Sequence, residues 1–295
     1  MLVMSMKSTK KSMKNKSKMV SIIIVNWNEK EMLRKCLESI KSNTIYYPYE
    51  IIVVDNNSND GSQEMIKMYF PWVKLIENKE NLGFSRANNI GIKTSKGEYV
   101  LLLNNDTEVK KGWLMNLIEF AENNKKFGVV GPKLLYQDGS VQQLKGYPDT
   151  SKEVDFVTGA AFLIKREVIN KVGLLDEGFS PIYYEDKDYC MRVLKAGYKI
   201  GYTSSSVIVH HCGLTTDKLP SWKYLVGNKN RIRFTLLHYS IKELIKMIPH
   251  EILQIGASIM RMRLHLLIYA YLLVLKDLKN IIETRKRIPL STTFQ

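Results

Sequence analysis

The chain has 295 residues, of which 45% are hydrophobic and 25% are charged, as in an ordinary globular protein that can bury a sizeable core. Its formal net charge of +15 favours polyanionic partners, such as nucleic acid, an anionic membrane or phosphorylated small molecules. The three cysteines are far apart and form no CxxC pair, which argues against a disulfide framework and for a reducing compartment.

The first 19 residues are basic and polar. They contain six lysines and no acidic residue. They lack the apolar core of roughly 7–15 residues that marks a secretory signal peptide. We therefore predict a disordered basic tail over residues 1–19.

From residue 20 onward, apolar runs alternate with stretches of helical spacing. The runs predict strands buried on both faces of a sheet. They are VSIIIVN (20–26), EIIVVD (50–55), VKLIEN (73–78) and EYVLLLNND (98–106). Helices are predicted between them at 29–43, 61–70 and 84–95. This βαβαβαβ alternation predicts an α/β fold with a mostly parallel sheet, right-handed crossovers and helices on both faces.

The second half of the chain continues the alternation and then becomes helical. The pattern predicts a helix at 113–125, a hairpin turn at Asp138-Gly139, a strand running into a helix at 154–173, a helix followed by a strand onset within 183–202, and a strand at 206–213. From residue 219 the chain is predicted to be almost wholly helical. These boundaries divide the chain into a domain over 20–218 and a basic helical region over 219–295.

The longest charge-free piece of the helical region is LHLLIYAYLLVL (264–275), flanked by arginines and lysines. It is too short for a transmembrane helix, which needs about 20 apolar residues. An interfacial helix on an anionic membrane fits this composition, and so does a helix packed on the domain or in a dimer. Lys229, Arg231 and Arg233 are expected either to contact a diphosphate or to form a solvated face.

Polar clusters follow three of the predicted strands. Asn26-Trp27-Asn28, Asp55-Asn56-Asn57-Ser58 and Asn104-Asn105-Asp106 each begin where an apolar run stops. Loop chemistry alone favours Asn and Asp at such positions. Because parallel strands end at the same edge of a sheet, where α/β folds bind their ligands, three clusters together predict a polar crevice.

Eight motifs occur in order along residues 20 to about 235. They are VSIIIVNWN, EIIVVDNNSNDGS, NLGFSRANNIGI, GEYVLLLNNDT, GVVGPKLL, VTGAAFLIKR, YYEDKDYCMR and VIVHHCG. In this order they resemble the family 2 glycosyltransferases, and more closely their rhamnosyltransferase-like branch, which builds cell-surface polysaccharides. The resemblance implies a GT-A (Rossmann-like) fold, a nucleotide-diphosphate sugar donor (UDP- or dTDP-linked), a divalent metal (Mn²⁺ or Mg²⁺) and inversion at the anomeric carbon.

The resemblance also implies a metal site. The family's Asp-x-Asp motif reads Asn104-Asn105-Asp106 here, which leaves Asp106 as the carboxylate ligand. The family's His-x-x-Gly-x-Ser/Thr pattern reads HHCGLT (210–215) and implies His210 as a second ligand, with a hydrogen-bonded structural histidine as the alternative. A histidine with a carboxylate suits Mn²⁺ slightly better than Mg²⁺, and the diphosphate would supply further oxygens. Asn104 and Asn105 are assigned to nucleotide-sugar binding.

Three neighbouring acids compete for the role of catalytic base. The family's Glu-Asp motif reads Glu185-Asp186 and implies Asp186 as the group that takes the proton of the acceptor hydroxyl. Asp188 and Glu185 remain alternatives. Asp188 also lies four residues before Arg192 on the predicted helix, so an ion pair is its simpler interpretation.

The remaining family positions concern the nucleotide sugar. Asp55 is expected to accept the N3–H of a uracil or thymine ring, with Asn26, Asn28 and Asn57 shaping the pocket. Arg86 and Asn89 fall in the family's NxGxxxARN-like stretch, in which the usual order of Ala and Arg is altered here. Gly159 would let the backbone approach donor or acceptor.

Three alternatives to a glycosyltransferase differ in how well they fit the sequence. A non-catalytic nucleotide-sugar binder fits the depleted metal motif. A nucleotidyltransferase would need a Gly-rich, basic loop after the first strand, where this chain has NWNE (26–29). A nucleic-acid-binding protein has no support beyond charge. The expected partners are a nucleotide sugar, a lipid-linked or glycan acceptor and, through the C-terminal helices, an anionic membrane or a second copy. No specific nucleic acid is expected, and the expected location is the cytoplasm at the inner face of the cell membrane.

Overall fold

The chain forms one mixed β-sheet between layers of helices. The computed structural model describes residues 18–142, 150–212 and 219–288. The strands are β1 Val20–Asn26, β2 Tyr49–Asp55, β3 Lys74–Glu77, β4 Tyr99–Asn104, β5 Thr107–Val109, β6 Phe127–Leu135, β7 Lys152–Val154, β8 Ala161–Lys165 and β9 Lys199–His210. The helices are α1 Lys30–Asn43, α2 Ser62–Tyr69, α3 Gly83–Thr94, α4 Trp113–Asn123, α5 Arg166–Val172, α6 Glu185–Lys195, α7 Pro220–His238, α8 Ile241–Lys246, α9 Ile248–Met260, α10 Leu264–Lys276 and α11 Leu278–Arg287.

The sheet has the order β3-β2-β1-β4-β8-β6-β9-β5, and β7 pairs with β9. Strands β3, β2, β1 and β4 are parallel, which confirms the prediction for the first half of the chain. In the second half, β8 runs antiparallel to both β4 and β6, and β5 antiparallel to β9. In the register, Asn26 pairs with Asp55 and Val25 with Asn104, so the polar ends of β1, β2 and β4 meet at one edge.

Helices cover both faces of the sheet, as the sequence predicts. On one face α1, α2 and α4 pack against the strands through buried residues that include Leu37, Ile66 and Trp113. On the other face α3, α5 and α6 do so through Ala87 and Tyr189 among others. Full burial of a large apolar side chain stabilises a fold by about 1.5–3 kcal/mol, so these two layers hold the sheet rigid beneath the polar edge.

Several boundaries differ from the sequence-based expectation. The strand expected at 206–213 is the end of β9, which begins at Lys199 and is continuous to His210. The hairpin turn at Asp138-Gly139 is confirmed, because an antiparallel bridge joins Leu135 to Val141 around it. The expected basic tail lies outside the described residues, except for its last two positions.

The C-terminal helices form a third apolar cluster. Residues of α7, α10 and α11 pack around Phe179, which precedes α6. Arg233 of α7 is fully buried and forms ion pairs with Asp176 and Asp277. Arg231 pairs with Glu251 of α9. Arg231 and Arg233 therefore form neither a solvated face nor an open diphosphate site, because both link parts of the fold through these ion pairs.

None of the helices in the described ranges is long and apolar enough to cross a membrane. The charge-free piece 264–275 is confirmed as a helix, α10. Its residues Leu267, Ala270 and Val274 face the protein and are buried.

Candidate active site

A cavity of about 640 Å³ opens at the carboxyl ends of β1 and β4. Its walls come from the end of β4, the segment before β8, the start of α6 with the loop before it, and α7. The lining residues are Val25, Phe84, 104–106, 158–160, 182–187, His210, Cys212, Lys223 and Gly227. Ligand sites for small molecules span roughly 300–1,000 Å³, and α/β sheets bind ligands at this edge. We therefore treat this cavity as the candidate active site.

Asp106 and His210 face each other in the cavity wall. Strand β5 begins directly after Asp106, and its first residue, Thr107, pairs with His210 at the end of β9. Oδ1 of Asp106 consequently lies 3.3 Å from Nε2 of His210. This oxygen is buried and accepts no hydrogen bond from the residues that the structure describes. The two predicted metal ligands are thus brought together by the pairing of β5 with β9.

Gln142 orients the ring of His210. Oε1 of Gln142 lies 2.9 Å from Nδ1 of the ring. The amide nitrogen of Gln142 donates to the carbonyls of Leu135 and His210, which fixes the direction of the amide. In the neutral ring, Nδ1 therefore carries the hydrogen and Nε2 turns a lone pair towards Asp106. This is the tautomer of a histidine that binds a metal.

No sequence motif pointed to Gln142. Gln142 lies sixty-eight residues before His210 in the chain. The contact between them depends on the hairpin that folds Val141 back onto Leu135.

The Asp106–His210 pair fits a cation. Two acceptor atoms 3.3 Å apart repel each other unless a proton or a cation joins them. Within residues 18–142, 150–212 and 219–288, no group of three or more His, Cys, Asp or Glu side chains is arranged to hold a metal. A metal bound by this pair would therefore take its other ligands from the donor diphosphate and from water, as Mg²⁺ and Mn²⁺ often do.

The two asparagines before Asp106 have different surroundings. Nδ2 of Asn104 lies 3.5 Å from Nε2 of His210, at the limit of a hydrogen bond. Nδ2 of Asn105 donates to Oδ1 of Asn26 at 2.8 Å. Asn105 thereby ties the end of β4 to the end of β1, and both asparagines line the cavity.

Asp55 organises the loop after β2. It is fully buried and accepts from the backbone and hydroxyl of Ser58, from Gln63 at 2.7 Å and from Asn26 at 3.0 Å. Both carboxylate oxygens are engaged, so a bond from Asp55 to a nucleobase would require one of these donors to leave. Contact of Asp55 with the base stays a prediction.

Asn28 and Asn57 hold left-handed turns beside this loop. Their φ angles are 51° and 61°, a region that asparagine tolerates better than most residues. Oδ1 of Asn28 accepts from the backbone of Asn59 at 2.8 Å, whereas Asn57 is exposed. Like Asn26 and Asp55, they do not line the cavity, and the connection to it runs through Asn105.

Asp186 lies at the start of α6 with one side open to the cavity. Its carboxylate accepts from the backbone N–H groups of Gly159 at 2.9 Å and Lys187 at 2.8 Å. Burial raises the pKa of Asp186, although these N–H groups oppose the shift. The nearest atoms to a Cβ added at Gly159 would be 3.6 Å away, so the role visible for this residue is its N–H bond to Asp186.

The neighbouring acids have other environments. Glu185 is buried in the cavity wall, and its Oε2 has no hydrogen-bond partner among the described residues. Burial raises the pKa of Glu185 well above its usual value, and the charge of Asp186 adds to the shift. Glu185 is therefore protonated under conditions in which an ordinary glutamate is charged.

Asp188 is not among the residues that line the cavity. It is fully buried and pairs with Arg192 at 2.8 Å and with Nε2 of His238 at 2.8 Å. Burial would raise the pKa of Asp188, but the positive charge of Arg192 and the bond from His238 outweigh it and lower the pKa. The ion pair with Arg192, one of the two sequence-based interpretations, is present.

The loop before α6 is strained and is held by α7. Tyr183 and Tyr184 have φ angles of 82° and 75°, which bulky residues rarely adopt. The buried Nδ2 of Asn230 lies within 2.6–3.0 Å of the carbonyls of Phe179, Ile182 and Tyr183. Sequence reasoning missed Asn230, because its burial and its three carbonyl partners are visible only in the structure.

Arg86 and Asn89 lie outside the cavity. Arg86 is about half-exposed and faces Glu177 at 3.4 Å. Asn89 is buried and exchanges hydrogen bonds with both backbone groups of Leu175. The structure therefore places Asn89 as a link between α3 and the segment after α5, and it does not bring either residue to the other candidate site residues.

The sheet with its polar edge and cavity is an α/β fold of the GT-A class. The described chain superposes on the crystal structure of GalNAc-T7 with UDP, GalNAc and Mn²⁺ with a TM-score of 0.61 at 19% identity, over 76% of this chain and 48% of that one. At this identity the likeness shows the fold alone.

The family model for glycosyl transferase family 2 matches residues 21–173, more than half of the chain, and the chain belongs to this family. It is 27% identical to the O-antigen biosynthesis protein RfbC of Myxococcus xanthus over 237 residues, 70% of this chain and 18% of that protein. It is 24% identical to the N-acetylglucosaminyl-diphospho-decaprenol L-rhamnosyltransferase of Mycobacterium tuberculosis (H37Rv) over 255 residues, 72% of this chain and 82% of that protein. The chain thus spans less than a fifth of the first relative and most of the second.

Proposed function

We propose that this protein is an inverting glycosyltransferase of cell-surface glycan synthesis. It would move a sugar from a UDP- or dTDP-sugar to a hydroxyl of a lipid-linked or polysaccharide acceptor. The observation that carries the proposal is that one cavity is lined both by the carboxylate of Asp186 and by the Asp106–His210 pair, which fits a cation. Family membership and the names of the two relatives support the reaction class.

Asp186 is the group that fits the role of base. Burial raises the pKa of Glu185 well above its usual value and so favours its protonated form, and Asp188 is engaged by Arg192 and His238. Asp186, by contrast, lines the cavity with only backbone donors on its carboxylate. A raised pKa makes Asp186 a stronger proton acceptor than an ordinary aspartate. It would take the proton of the acceptor hydroxyl as that oxygen attacks the anomeric carbon.

The reaction is a single displacement. The acceptor oxygen forms a bond to the anomeric carbon while the bond from that carbon to the phosphate oxygen breaks, and its electron pair stays on the diphosphate. Attack from the side opposite the leaving group inverts the anomeric centre. The proton ends on Asp186, so atoms and charge balance without a further reactant.

Asp106 and His210 would hold the divalent metal. A bound Mn²⁺ or Mg²⁺ would supply positive charge for the leaving diphosphate. Asp106 contributes the carboxylate oxygen that has no hydrogen bond in the described structure, and His210 contributes Nε2 in the tautomer set by Gln142. Asn104 and Asn105, beside this pair, would contact the ribose or the sugar.

The loops after β1 and β2 are assigned to the nucleoside end of the donor. Asn26 connects them to the cavity through its bonds with Asp55 and Asn105. A pyrimidine nucleotide is proposed from the family position of Asp55. We place the enzyme at the cytoplasmic face of the cell membrane, which agrees with the three free cysteines and with a lipid-linked acceptor.

A turnover assay with a panel of UDP- and dTDP-sugars tests the proposal. Asp186→Asn should abolish transfer while donor binding, measured by calorimetry, persists. Asp106→Ala should weaken donor binding in the presence of Mn²⁺. Glu153→Gln is the matched control, because this carboxylate is exposed, pairs with Lys199 and lies outside the cavity. Undiminished turnover of Asp186→Asn would refute the assignment of the base, and donor binding without any transfer by the parent chain would favour a non-catalytic binder.

A further inference from the structure

An apolar stripe runs along α8 and α9. It consists of isoleucines 241, 245, 248, 252, 255 and 259, spaced alternately four and three residues apart, which places them on one helical face. The two helices are separated only by Met247, whose φ and ψ of −84° and −10° are helical. The six side chains are 41–75% exposed. No described part of the chain covers this face.

Helix α10 extends the apolar surface. Its inner residues pack on α7, whereas Ile268, Leu272 and Leu275 on the outer side are about half-exposed. Soluble monomers rarely expose contiguous apolar patches beyond a few hundred Å², and larger ones mark interaction sites. Together with the isoleucine stripe, this outer side of α10 is called here the apolar helical surface.

The charges around the apolar helical surface are mostly positive. Residues 241–287 contain nine Lys and Arg and four Asp and Glu. Two of these acids are engaged inside the protein, Glu251 with Arg231 and Asp277 with Arg233. Lys246, Lys276 and Lys279 are exposed at or near the helix ends.

We propose that the apolar helical surface docks on an anionic lipid membrane, with α8–α10 lying in the interface. Apolar helix faces bordered by lysine and arginine bind such membranes by burying the apolar side chains at the headgroup boundary and by attracting anionic lipids. A second copy of the chain is disfavoured as the occupant, because it would bring two basic rims together.

Docking in this way would set the cavity beside the membrane. Helix α10 packs on α7, and Lys223 and Gly227 of α7 line the cavity. The membrane surface and the cavity would therefore be joined by one helix. The docking itself does not depend on which donor or acceptor the enzyme uses.

Flotation of the full-length chain with vesicles tests the proposal. Vesicles containing phosphatidylglycerol should carry the protein, and vesicles of phosphatidylcholine alone should bind it about tenfold more weakly. The triple variant Ile245→Ser, Ile252→Ser, Ile259→Ser should bind phosphatidylglycerol vesicles at least tenfold more weakly, while its transfer to a water-soluble acceptor stays unchanged. The last readout separates this proposal from the proposed function.

Two matched controls locate the binding. The variant Ile45→Ser, Met68→Ser, Tyr69→Ser removes three equally exposed apolar side chains from the other end of the chain and should bind like the parent. Replacement of the five lysines within residues 1–17 by glutamine should also leave most of the binding. Loss of binding in either control, no flotation of the parent chain, or a stable oligomer that the stripe variant dissociates without changing flotation would overturn the proposal.

Discussion

Asn230→Ala tests whether α7 holds the loop that carries the proposed base. The two hydrogens of the Asn230 amide serve three carbonyls of residues 179–183. Each neutral hydrogen bond contributes about 1 kcal/mol net, so the variant should lose about 2 kcal/mol of folding stability. The left-handed conformations of Tyr183 and Tyr184 cost roughly 1–2 kcal/mol each, and these bonds oppose their relaxation.

A loop that is about 2 kcal/mol less stable occupies its competent conformation about 30-fold less, since 1.4 kcal/mol is a factor of ten. We expect kcat to fall by up to this factor and the KM for the donor to change less, because the metal pair and the β2 loop are untouched. Steady-state kinetics, at a temperature well below the variant's Tm, measure the changes in kcat and KM. Thermal unfolding measures the loss of folding stability. Asn228→Ala is the control, since its amide donates to the carbonyl of Tyr224 and accepts at 3.5 Å from Arg231, both within α7 and neither in the loop before α6. A kcat equal to that of Asn228→Ala would refute the reasoning.

Three further predictions concern other buried groups. The pKa of Glu185 is raised in the folded chain, whereas the unfolded chain releases this proton near pH 4.3, so the stability from Glu185 is present below that pH and is lost as pH rises through the raised folded pKa. Glu185→Gln should therefore raise Tm relative to the parent at pH 8 but not at pH 4. A difference in Tm that does not depend on pH would contradict this. Gln142→Leu should weaken Mn²⁺ binding about tenfold, as measured by calorimetry with UDP, because the tautomer of His210 is no longer fixed. Gln137→Leu, which removes a contact to His211, is the control, and equal weakening of Mn²⁺ binding by it would exclude this cause. Arg233→Met should cost about 3–5 kcal/mol in urea unfolding, because it leaves the paired aspartates without their buried partner; a loss below 1 kcal/mol would show that the pair is not needed.

Parallel strands β1, β2 and β4 and the helices between them could be predicted because their signals are local. A continuous β-branched run such as Ile22–Ile24 is buried on both faces, and helical spacing identifies the covering helices. The polar residues that end these strands then meet at one edge by topology alone. The antiparallel insertion of β8 between β4 and β6 has no such local signal, since it depends on long-range pairing.

The candidate site was predictable to the extent that its contacts are short in sequence. The i,i+4 spacing of Asp188 and Arg192 predicts their ion pair. The bond between Asp188 and His238 spans fifty residues and has no such local signal. A motif on α3 predicts donor contacts for Asn89 and Arg86, yet Asn89 bonds to Leu175, which the helix pattern does not reveal. A motif locates a residue along a helix but does not show which way its side chain faces. That direction determines whether the side chain packs within the fold or contacts a ligand.

The match to the family model ends at residue 173, before the base candidate and before α7. The matched part contains strands β1 to β8, the loops after β1 and β2, and Asp106, whereas β9 lies outside it. The remaining half of the cavity comes from the start of α6, from His210 and from α7, and the loop that presents Asp186 is fixed by Asn230 of α7. A boundary drawn at residue 219 therefore separates Asp186 from the residue that holds its loop. Because the cavity walls come from different parts of the chain, we expect changes in 219–288 to alter the wall formed by α7 while the wall formed by the matched part stays intact.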